Sequence, residues 1–400
     1  MTDTQQTKIQ VRNLSKVFGD DTKKALKLRD EGLNRAQILE KTGQTLGLSN
    51  INFDVREGEL LVIMGLSGSG KSTLIRCLNR LIEPTEGDII IGGENIPQLS
   101  DKALLHCRRR HFSMVFQNFA LFPHRTVQMN AEYGLEIRGI SKAERAEKAR
   151  NSLKQVGLEG WEDAYPNQLS GGMQQRVGLA RALANDSSVL LMDEAFSALD
   201  PLIRRDMQQE LIELQHRMKK TTIFITHDLD EALNIGDRII LLRDGEIVQI
   251  GTPEEVLTRP ADDYVARFTE GVDRSRVVTA RRVMRPVRAT ARHDDGPRTV
   301  LRKMSENALD SIYVVDRERK LLGILEADSL DEAAKAGKDS IQDLLVTDFP
   351  RIGPDEPLAT LYPMFQGKSI PVAVIDDQQR LLGVVVKGAV LEQLAQTGEE

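Results

Sequence analysis

The chain has 400 residues, which at about 150 residues per domain indicates two or three domains. Hydrophobic residues make up 40% and charged residues 28%, a composition typical of soluble globular proteins and unlike that of disordered or fibrous chains. The uncharged apolar runs, such as Leu60 to Leu66, are far shorter than the roughly 20 residues of a membrane-spanning helix. The N-terminus also lacks the apolar segment of a signal peptide, so we expect a protein made and kept in the cytosol.

The net charge of −6 is distributed unevenly. Between Arg274 and Lys303, ten basic residues accompany two acidic ones, so this basic segment carries +8 and the rest of the chain −14. The segment predicts either a contact with an anionic lipid surface or a solvated linker. Nucleic-acid binding is not expected, because the segment has no Phe, Trp or Tyr to stack on bases.

Two cysteines, Cys77 and Cys107, are too few for a disulfide framework. Neither belongs to a CxxC motif, and we expect neither to be spaced from a histidine as a second metal ligand would be. We expect two isolated thiols in a reducing compartment.

Three short apolar runs in the first 270 residues are interpreted as buried strands. Continuous rather than alternating apolarity indicates strands covered on both faces, hence a mainly parallel sheet between helices. The runs are Leu60 to Met64, Val189 to Met192 and Thr222 to Thr226.

Helix boundaries are predicted from capping residues. Ser141 with Glu144 forms a capping-box pattern at the start of a helix that ends near Gly157. Pro201 begins a long polar helix that runs to about Lys219. A segment of about residues 20–48 interrupts the start of the domain, and in it Asn34 and Gly43 predict one short helix.

The C-terminal part contains an internal repeat. Residues 312–325 read IYVVDRERKLLGIL and residues 372–385 read VAVIDDQQRLLGVV, so the copies match at an offset of 60 residues. Each copy predicts a strand, a polar turn and a second strand, followed by a helix. Such duplicated units usually pack against each other to bury a shared face.

A glycine-rich loop follows the first apolar strand and precedes a predicted helix. It comprises Gly65, Leu66, Ser67, Gly68, Ser69, Gly70, Lys71 and Ser72, with Thr73 next in the helix. The glycines let backbone N–H groups and the helix N-terminus face an anion, Lys71 reaches the terminal phosphates, and Ser72 offers a hydroxyl to Mg²⁺. The pattern predicts a nucleotide phosphate site, with a turn that binds nothing as the alternative.

Two acidic residues, Asp193 and Glu194, follow the apolar strand that starts at Val189. A carboxylate beside the phosphate loop can hold Mg²⁺, and a second one can orient and deprotonate an attacking water. A buried strand that ends in acidic residues is common, so this signal becomes specific only together with the loop.

The sequence LSGGMQQR at residues 169–176 lies between the phosphate loop and the acidic strand end. In that position it resembles the signature of ATP-binding-cassette ATPases, which implies an α/β P-loop NTPase fold. Further elements follow in the family's order: Gln117 in VFQNFALFPH, residues 197–200 reading SALD, and His227 in ITHDLDEA.

The resemblance implies that two such subunits enclose two ATP molecules. Ser170, Gly171 and Gly172 of one subunit would donate to the γ-phosphate held by Lys71 of the other, and Asp200 would be a further nucleotide-binding residue. The functional unit would therefore be a homodimer.

The resemblance also implies catalytic roles. Glu194 would be the general base, His227 the γ-phosphate contact, and Gln117, Asp193 and Ser72 ligands of Mg²⁺ and water. Phe18 resembles the aromatic residue that stacks on adenine, although the insert separates it from the loop.

The whole chain is similar to the ATP-binding subunits of glycine betaine and proline betaine importers. The residues that carry this resemblance are residues 37–43 of the insert, residues 79–85, Ala195 where most cassettes have proline, and residues 200–204. It implies a motor subunit for osmoprotectant uptake, with another small polar solute or a soluble non-transport ATPase as alternatives.

The resemblance extends to the repeat, which is similar to a tandem CBS pair of α+β type. We expect a cassette at 1–270, a basic linker at 271–285, a first CBS copy at 286–343 and a second at 344–400. The family's adenosine pattern departs after both Gly323 and Gly383, where Glu326 and Val386 replace the expected Thr or Ser. We expect the pair to respond to ionic strength or osmotic conditions instead.

The implied partners are an integral-membrane permease and, indirectly, an extracytoplasmic solute-binding protein. The permease would dock on residues 119–138, where Phe119, Leu121 and Phe122 are predicted as an exposed apolar set, with burial in the core as the alternative. The chain would then be a peripheral protein on the cytoplasmic face of the cell membrane.

Overall fold

A computed structural model describes residues 6–365 and 370–390. The chain forms two compact units that divide between Thr269 and Glu270. Within the described part, none of the helices combines the length and the apolar character needed to cross a membrane.

The N-terminal unit alternates strands and helices. Its strands are β1 (Thr7–Phe18), β2 (Thr45–Arg56), β3 (Leu60–Met64), β4 (Glu86–Ile91), β5 (Glu94–Asn95), β6 (Phe112–Phe116), β7 (Val189–Asp193), β8 (Thr221–Ile225), β9 (Arg238–Arg243) and β10 (Glu246–Gly251). Its helices are α1 (Thr22–Asp30), α2 (Arg35–Thr42), α3 (Lys71–Leu78), α4 (Asp101–His111), α5 (Val127–Ile137), α6 (Lys142–Gln155), α7 (Gly171–Ala184), α8 (Pro201–Met218), α9 (Leu229–Ile235), α10 (Pro253–Thr258) and α11 (Asp263–Phe268).

Two sheets build this unit. The larger one has the order β10-β9-β3-β8-β7-β6, and all its pairings are parallel except that of β10 with β9. The smaller one is antiparallel, with the order β2-β1-β4-β5. Side chains of both sheets share one core with α3, including Val11, Ile63 and Leu74.

The three apolar runs form strands of the parallel sheet, as predicted. Strands β3, β7 and β8 are buried at all five of their positions, which is the burial expected between two helical layers. The prediction of an α/β fold is confirmed.

The predicted caps begin helices. Ser141 accepts a hydrogen bond from the backbone N–H of Glu144 at the start of α6, and Pro201 is the first residue of α8. Gly157, just past α6, has a φ of +69°, a left-handed conformation that suits glycine.

The insert between β1 and β2 contains two helices rather than the one predicted. Asn34 and Gln37 form a reciprocal capping box at the start of α2, and Gly43 ends it in the left-handed conformation. Helix α1 precedes α2 and was not predicted, because its cap residue Asp21 lies in a run of polar and charged residues that gives no clear helix start. Strand β2 already begins at Thr45, so residues 45–48 belong to the sheet rather than to the insert.

The C-terminal unit contains α12 (Ala280–Val283), β11 (Thr290–Arg292), α13 (Pro297–Glu306), β12 (Ser311–Val315), β13 (Leu321–Glu326), α14 (Ala327–Lys335), β14 (Arg351–Ile352), β15 (Val372–Ile375) and β16 (Leu381–Val385). Both repeat copies form the predicted antiparallel hairpins, β12 with β13 and β15 with β16. Each hairpin gains a parallel strand in front, β11 or β14, that the repeat pattern had not shown.

The two copies pack against each other, as expected. Tyr313 and Ile324 of the first copy share a buried cluster with Ala373 and Leu381 of the second. The Leu321 N–H donates to the Gln379 carbonyl at 2.9 Å, and the equivalent Leu381 N–H donates to the Arg319 carbonyl at 3.1 Å.

The segments that lead into the copies are exchanged. Arg285, ahead of the first copy, pairs through its backbone with Val384 of the second, with N–H to carbonyl distances of 2.8 and 3.0 Å. Val346, between the copies, pairs in the same way with Ile324 of the first. A Cβ on Gly323 or Gly383 would lie 3.1 or 3.0 Å from these carbonyls, of Val346 and Arg285 respectively, which explains the glycine in both copies.

Part of the basic segment is folded rather than free. Residues 280–283, expected in the linker, form α12, and Ala280 and Val283 are buried in the core of the C-terminal unit. Arg281 forms a two-pronged ion pair with Asp355 at 2.9 and 3.2 Å.

Candidate functional site

The candidate site forms where three parallel strands end. Ile63 of β3 pairs with Ile225 of β8, which pairs in turn with Asp193 of β7. The loops that follow these strands therefore meet at the carboxyl edge of the sheet, where α/β proteins hold their ligands.

The glycine-rich loop after β3 curls because its glycines permit close backbone contacts. Gly65 has a φ of +150°, and a Cβ there would lie 2.2 Å from the Leu242 carbonyl. Gly70 has a φ of +105°, and its Cβ would lie 2.7 Å from the Gly47 carbonyl. Side chains at these positions would force the loop open.

Lys71, the first residue of α3, folds back over this loop. Its Nζ donates to the Gly65 carbonyl at 2.8 Å and to the Leu66 carbonyl at 3.1 Å. Burial lowers the pKa of Lys71, while the nearby Glu194 and Asp193 act in the opposite direction. The ammonium group is thus held at the centre of the loop, where a phosphate would lie.

Ser72 and Asp193 lie side by side. The Ser72 hydroxyl donates to Asp193 Oδ1 at 3.1 Å, and Arg76 Nη2 donates to Asp193 Oδ2 at 3.2 Å. Asp193 is 5% exposed, so its carboxylate is fixed by these two bonds. A hydroxyl and a carboxylate form the oxygen donor set that Mg²⁺ prefers.

Glu194 lies one residue beyond β7 in a left-handed conformation with a φ of +48°. Its carboxylate Oε2 accepts a hydrogen bond from Gln117 Nε2 at 3.5 Å, and His227 Nδ1 lies 3.5 Å from the same oxygen. The structure therefore brings together the three side chains that were predicted as catalytic.

A cavity of about 670 Å³ opens between this edge and the end of β1. Its lining includes the glycine-rich loop, Thr73, Glu194, His227 and Phe18. Phe18 pairs with Thr45 across β1 and β2, so the insert loops out and leaves Phe18 beside the loop.

The loop fits a phosphate group. Gly70 caps α3 without a side-chain hydrogen bond, so the first N–H groups of the helix have no intrahelical acceptor. The Ser69 hydroxyl is buried without a hydrogen-bond partner among the described residues, and a Cβ on Gly68 would meet only open space. A bound phosphate would satisfy such donors.

The signature residues lie elsewhere. Ser170 caps α7, which begins at Gly171, and neither these two residues nor Gly172 line the cavity. Asp200, at the start of α8, is exposed and also lies outside the cavity lining. Within one chain the structure therefore separates these four residues from Lys71 and its neighbours.

The expected apolar docking set is only partly accessible. Phe119, Leu121 and Phe122 are half-buried, and the Phe122 ring packs on Tyr133 at 4.5 Å between centroids. Arg181 donates to the Phe119 carbonyl at 3.0 Å and fixes this turn against α7. Within 119–138 the more exposed large apolar side chains are instead Met129 and Ile137, at 52% and 48%.

One expectation about the cysteines was wrong. Cys107 and His111 are four residues apart on α4, and their ligand atoms lie within 4.8 Å of each other and of a Glu94 oxygen. Burial, with Glu94 close by, raises the pKa of the Cys107 thiol to about 11, so the thiol is protonated at neutral pH. Cys77 is a free, buried thiol, as expected, and burial raises its pKa to about 12.

Three residues line the cavity that the sequence did not predict: Arg35, Thr45 and Gly47. Gly47 could have been found only from the sheet register, because its contact with Gly70 joins separate strands and loops. Arg35 follows the predicted cap Asn34 directly, but its position beside Gly68 depends on how the insert folds back.

The fold and the site define a P-loop ATPase cassette. The family described as ABC transporter matches residues 48–197, and the CBS domain family matches residues 280–335 and 341–396. A dimeric structure of MJ0796, a bacterial ABC transporter cassette, is 35% identical with a TM-score of 0.52, and the match covers 61% of this chain and 98% of that one.

Two relatives are similar over nearly the full length. The glycine betaine transport ATP-binding protein OpuAA of Bacillus subtilis is 54% identical over 99% of this chain and 94% of its own. The glycine betaine/carnitine transport ATP-binding protein GbuA of Listeria monocytogenes is 53% identical over 97% and 98%. The chain belongs to the same family of ABC transporter ATP-binding subunits with a C-terminal CBS pair, and it is an ATPase that binds ATP.

Proposed function

We propose that this chain is the ATP-hydrolysing motor of an importer for glycine betaine, proline betaine and similar quaternary amines. The observation that carries the proposal is the similarity to glycine betaine transport subunits across both units, not the cassette alone. A soluble ATPase of another kind would share the cassette without this particular C-terminal pair.

Hydrolysis would follow from the residues around Glu194. Its carboxylate would accept a proton from the attacking water, while Gln117 orients that water and His227 contacts the γ-phosphate. The 3.5 Å separations of both side chains from Glu194 Oε2 support these roles, because the three groups lie close together.

Mg²⁺ would be held by Ser72 and Asp193, with Gln117 as a further ligand. When bound, the ion neutralises charge on the β- and γ-phosphates. The 3.1 Å contact between the Ser72 hydroxyl and the Asp193 carboxylate supports this assignment, because both oxygens already lie together.

The signature would act on a second copy of the chain. Ser170 and Gly171 are exposed and Gly172 follows them at the N-terminus of α7, where N–H groups favour an anion. The similar cassette MJ0796 is described as dimeric, also when bound to ADP and Pi. We infer that Ser170, Gly171, Gly172 and Asp200 complete the ATP site of the partner subunit.

Replacing Glu194 by Gln removes the proton acceptor and retains the side chain's shape. We expect ATP hydrolysis to fall at least about 100-fold while ATP binding remains and ATP-bound dimers accumulate. Phosphate release and size-exclusion chromatography with ATP measure the two effects. Glu159→Gln, a surface residue paired with Lys154, is the matched control, and substantial turnover in Glu194→Gln would refute the general-base role.

The permease would dock between α4, α5 and β6. A cavity of about 260 Å³ lies there, lined by Tyr133, Ile137 and Arg138 of the expected docking range together with Arg108 and Arg109. Its partly apolar floor and cationic rim suit an amphipathic segment with acidic groups. Docking there would hold the chain at the cytoplasmic face of the membrane as a peripheral protein.

Ile137→Glu places a charge in this cavity, where docking would bury it at a high energetic cost. We expect the variant to lose co-purification with the permease from gently solubilised membranes and to retain ATP binding. Leu39→Glu, on the insert helix, has the same exposure of nearly one half and should leave co-purification unchanged. A wild-type chain that elutes without any membrane partner would count against the importer.

The cargo would be selected by an extracytoplasmic solute-binding protein of the same complex, which this chain never touches. We expect that protein to bind glycine betaine or proline betaine in calorimetry, and proteoliposomes of the whole complex to take up the same solute with ATP. Methionine is the control solute. Binding of an amino acid instead of a betaine would replace the substrate assignment and leave the motor assignment intact.

The C-terminal unit would make uptake respond to ionic strength. Exposed arginines of the basic segment, among them Arg288 and Arg298, can attract anionic lipid by about 1 kcal/mol each. The Debye length falls from about 10 Å at 0.1 M salt to about 3 Å at 1 M, which weakens that attraction. Rising internal salt would thus release the segment and relieve inhibition.

Replacing the exposed Arg288 and Arg298 by Gln should weaken the salt dependence of uptake in proteoliposomes that contain anionic lipid. Arg281 is left in place because its ion pair with Asp355 belongs to the folded C-terminal unit. The control replaces two exposed basic residues of α6, Lys142 and Arg150, by Gln. Unchanged salt dependence in the first variant would show that the segment does not sense ionic strength.

A further inference from the structure

The insert between β1 and β2 supplies none of the residues in the proposed hydrolysis, although its two helices pack on the strands of the smaller sheet. Val17 and Leu46 of the flanking strands share a small buried core with Ala25 of α1 and Ile38 of α2. Arg29 donates to the Ser15 hydroxyl at 2.8 Å and forms an ion pair with Glu86. The insert is therefore a fixed part of the cassette surface next to Phe18.

The capping box of α2 sets the start of this helix. The Asn34 side chain accepts from the Gln37 N–H, and the Gln37 side chain accepts from the Asn34 N–H, both at 3.0 Å. Arg35 is the first helical residue and lies inside this box, so its backbone is held between the cap Asn34 and the buried Ile38.

Arg35 extends from this helix end to the glycine-rich loop. Its Nη1 donates to the Gly68 carbonyl at 2.8 Å, and its side chain lines the same cavity as Phe18 and Lys71. The N–H on the other side of that peptide, from Ser69, donates to the Leu66 carbonyl at 3.1 Å. The guanidinium is thus held on the Gly68 carbonyl of the phosphate loop, whereas the buried Lys71 is held on the Gly65 and Leu66 carbonyls.

A guanidinium has five N–H donors in a planar fork, and the bond to Gly68 uses one of them. Arginine binds phosphate oxygens through paired, charge-assisted hydrogen bonds that are stronger than neutral ones. Arg35 therefore offers the chemistry of a phosphate ligand at a position that already lines the nucleotide cavity.

We propose that Arg35 is a nucleotide-binding residue that the insert adds to the cassette, and that its guanidinium binds the phosphate chain of ATP held at the glycine-rich loop. The proposal rests on the proposed ATP site and deepens it. The insert then has a function, because α2 positions the Arg35 guanidinium at the loop as a second cation beside Lys71.

Arg35→Ala should weaken ATP binding about tenfold, or about 1.4 kcal/mol, in the full-length chain. Because the contact is made to bound ATP before and during the reaction, we expect KM for ATP to rise with little change in kcat. Fluorescence titration with a labelled ATP and steady-state phosphate release measure these quantities, and circular dichroism checks folding.

Arg35→Lys keeps the charge and loses the planar fork, so its ATP affinity should lie between those of Arg35→Ala and the wild type. Lys41→Ala is the matched control, since Lys41 is an exposed cation in the last turn of the same helix. The slope of ATP affinity against salt concentration should be smaller in Arg35→Ala than in the wild type, which a purely structural role would not produce.

Unchanged ATP affinity in Arg35→Ala would overturn the proposal and leave the proposed ATPase intact. Equal losses in Arg35→Ala and Arg35→Lys, with an unchanged salt slope, would also overturn it and assign Arg35 to holding the Gly68 peptide. A wild-type chain that does not bind ATP would overturn the proposed function and this proposal together.

Discussion

The parallel pairing of β3, β8 and β7 is the constraint on which the nucleotide site depends. Each strand ends at the same edge, so the phosphate loop, Glu194 and His227 meet although they are far apart in sequence. All three strands are buried at every position. A one-residue shift of any of them would move the residue that follows it by about 3.3 Å along the strand direction. The relative positions of the site residues at the edge of the sheet therefore depend on how the strands pair in the core.

Much of this could be predicted from local sequence. In two places a continuous apolar run of strand length is followed directly by the residues of the site. The loop at residues 65–72 and the pair Asp193–Glu194 could therefore be predicted at the ends of buried strands from the sequence alone. The starts of α2 and α6 are equally local, because each cap bond joins residues three positions apart. Helix α8 begins at a proline, which is a local signal of another kind.

What could not be predicted depends on contacts between distant segments. Arg35 and Gly68 are separated by the rest of α2 and by strands β2 and β3, and nothing in the sequence around either residue indicates the other. The apolar set after Gln117 looked exposed because three large side chains lie together, yet Phe119 and Ala120 adopt left-handed conformations that Arg181 fixes from another helix. The spacing of Cys107 and His111 was legible on one helix, whereas the approach of Glu94 required the β4–β5 hairpin.

The exchanged leading segments of the C-terminal pair have a consequence for synthesis on the ribosome. The backbone partner of Arg285 is Val384, about 100 residues further along the chain. At about 5–20 residues per second, that partner emerges roughly 5–20 s after Arg285 has left the ribosome. During this interval the stretch around Arg285 lacks its partner strand, so this backbone pairing cannot form until β16 has been made.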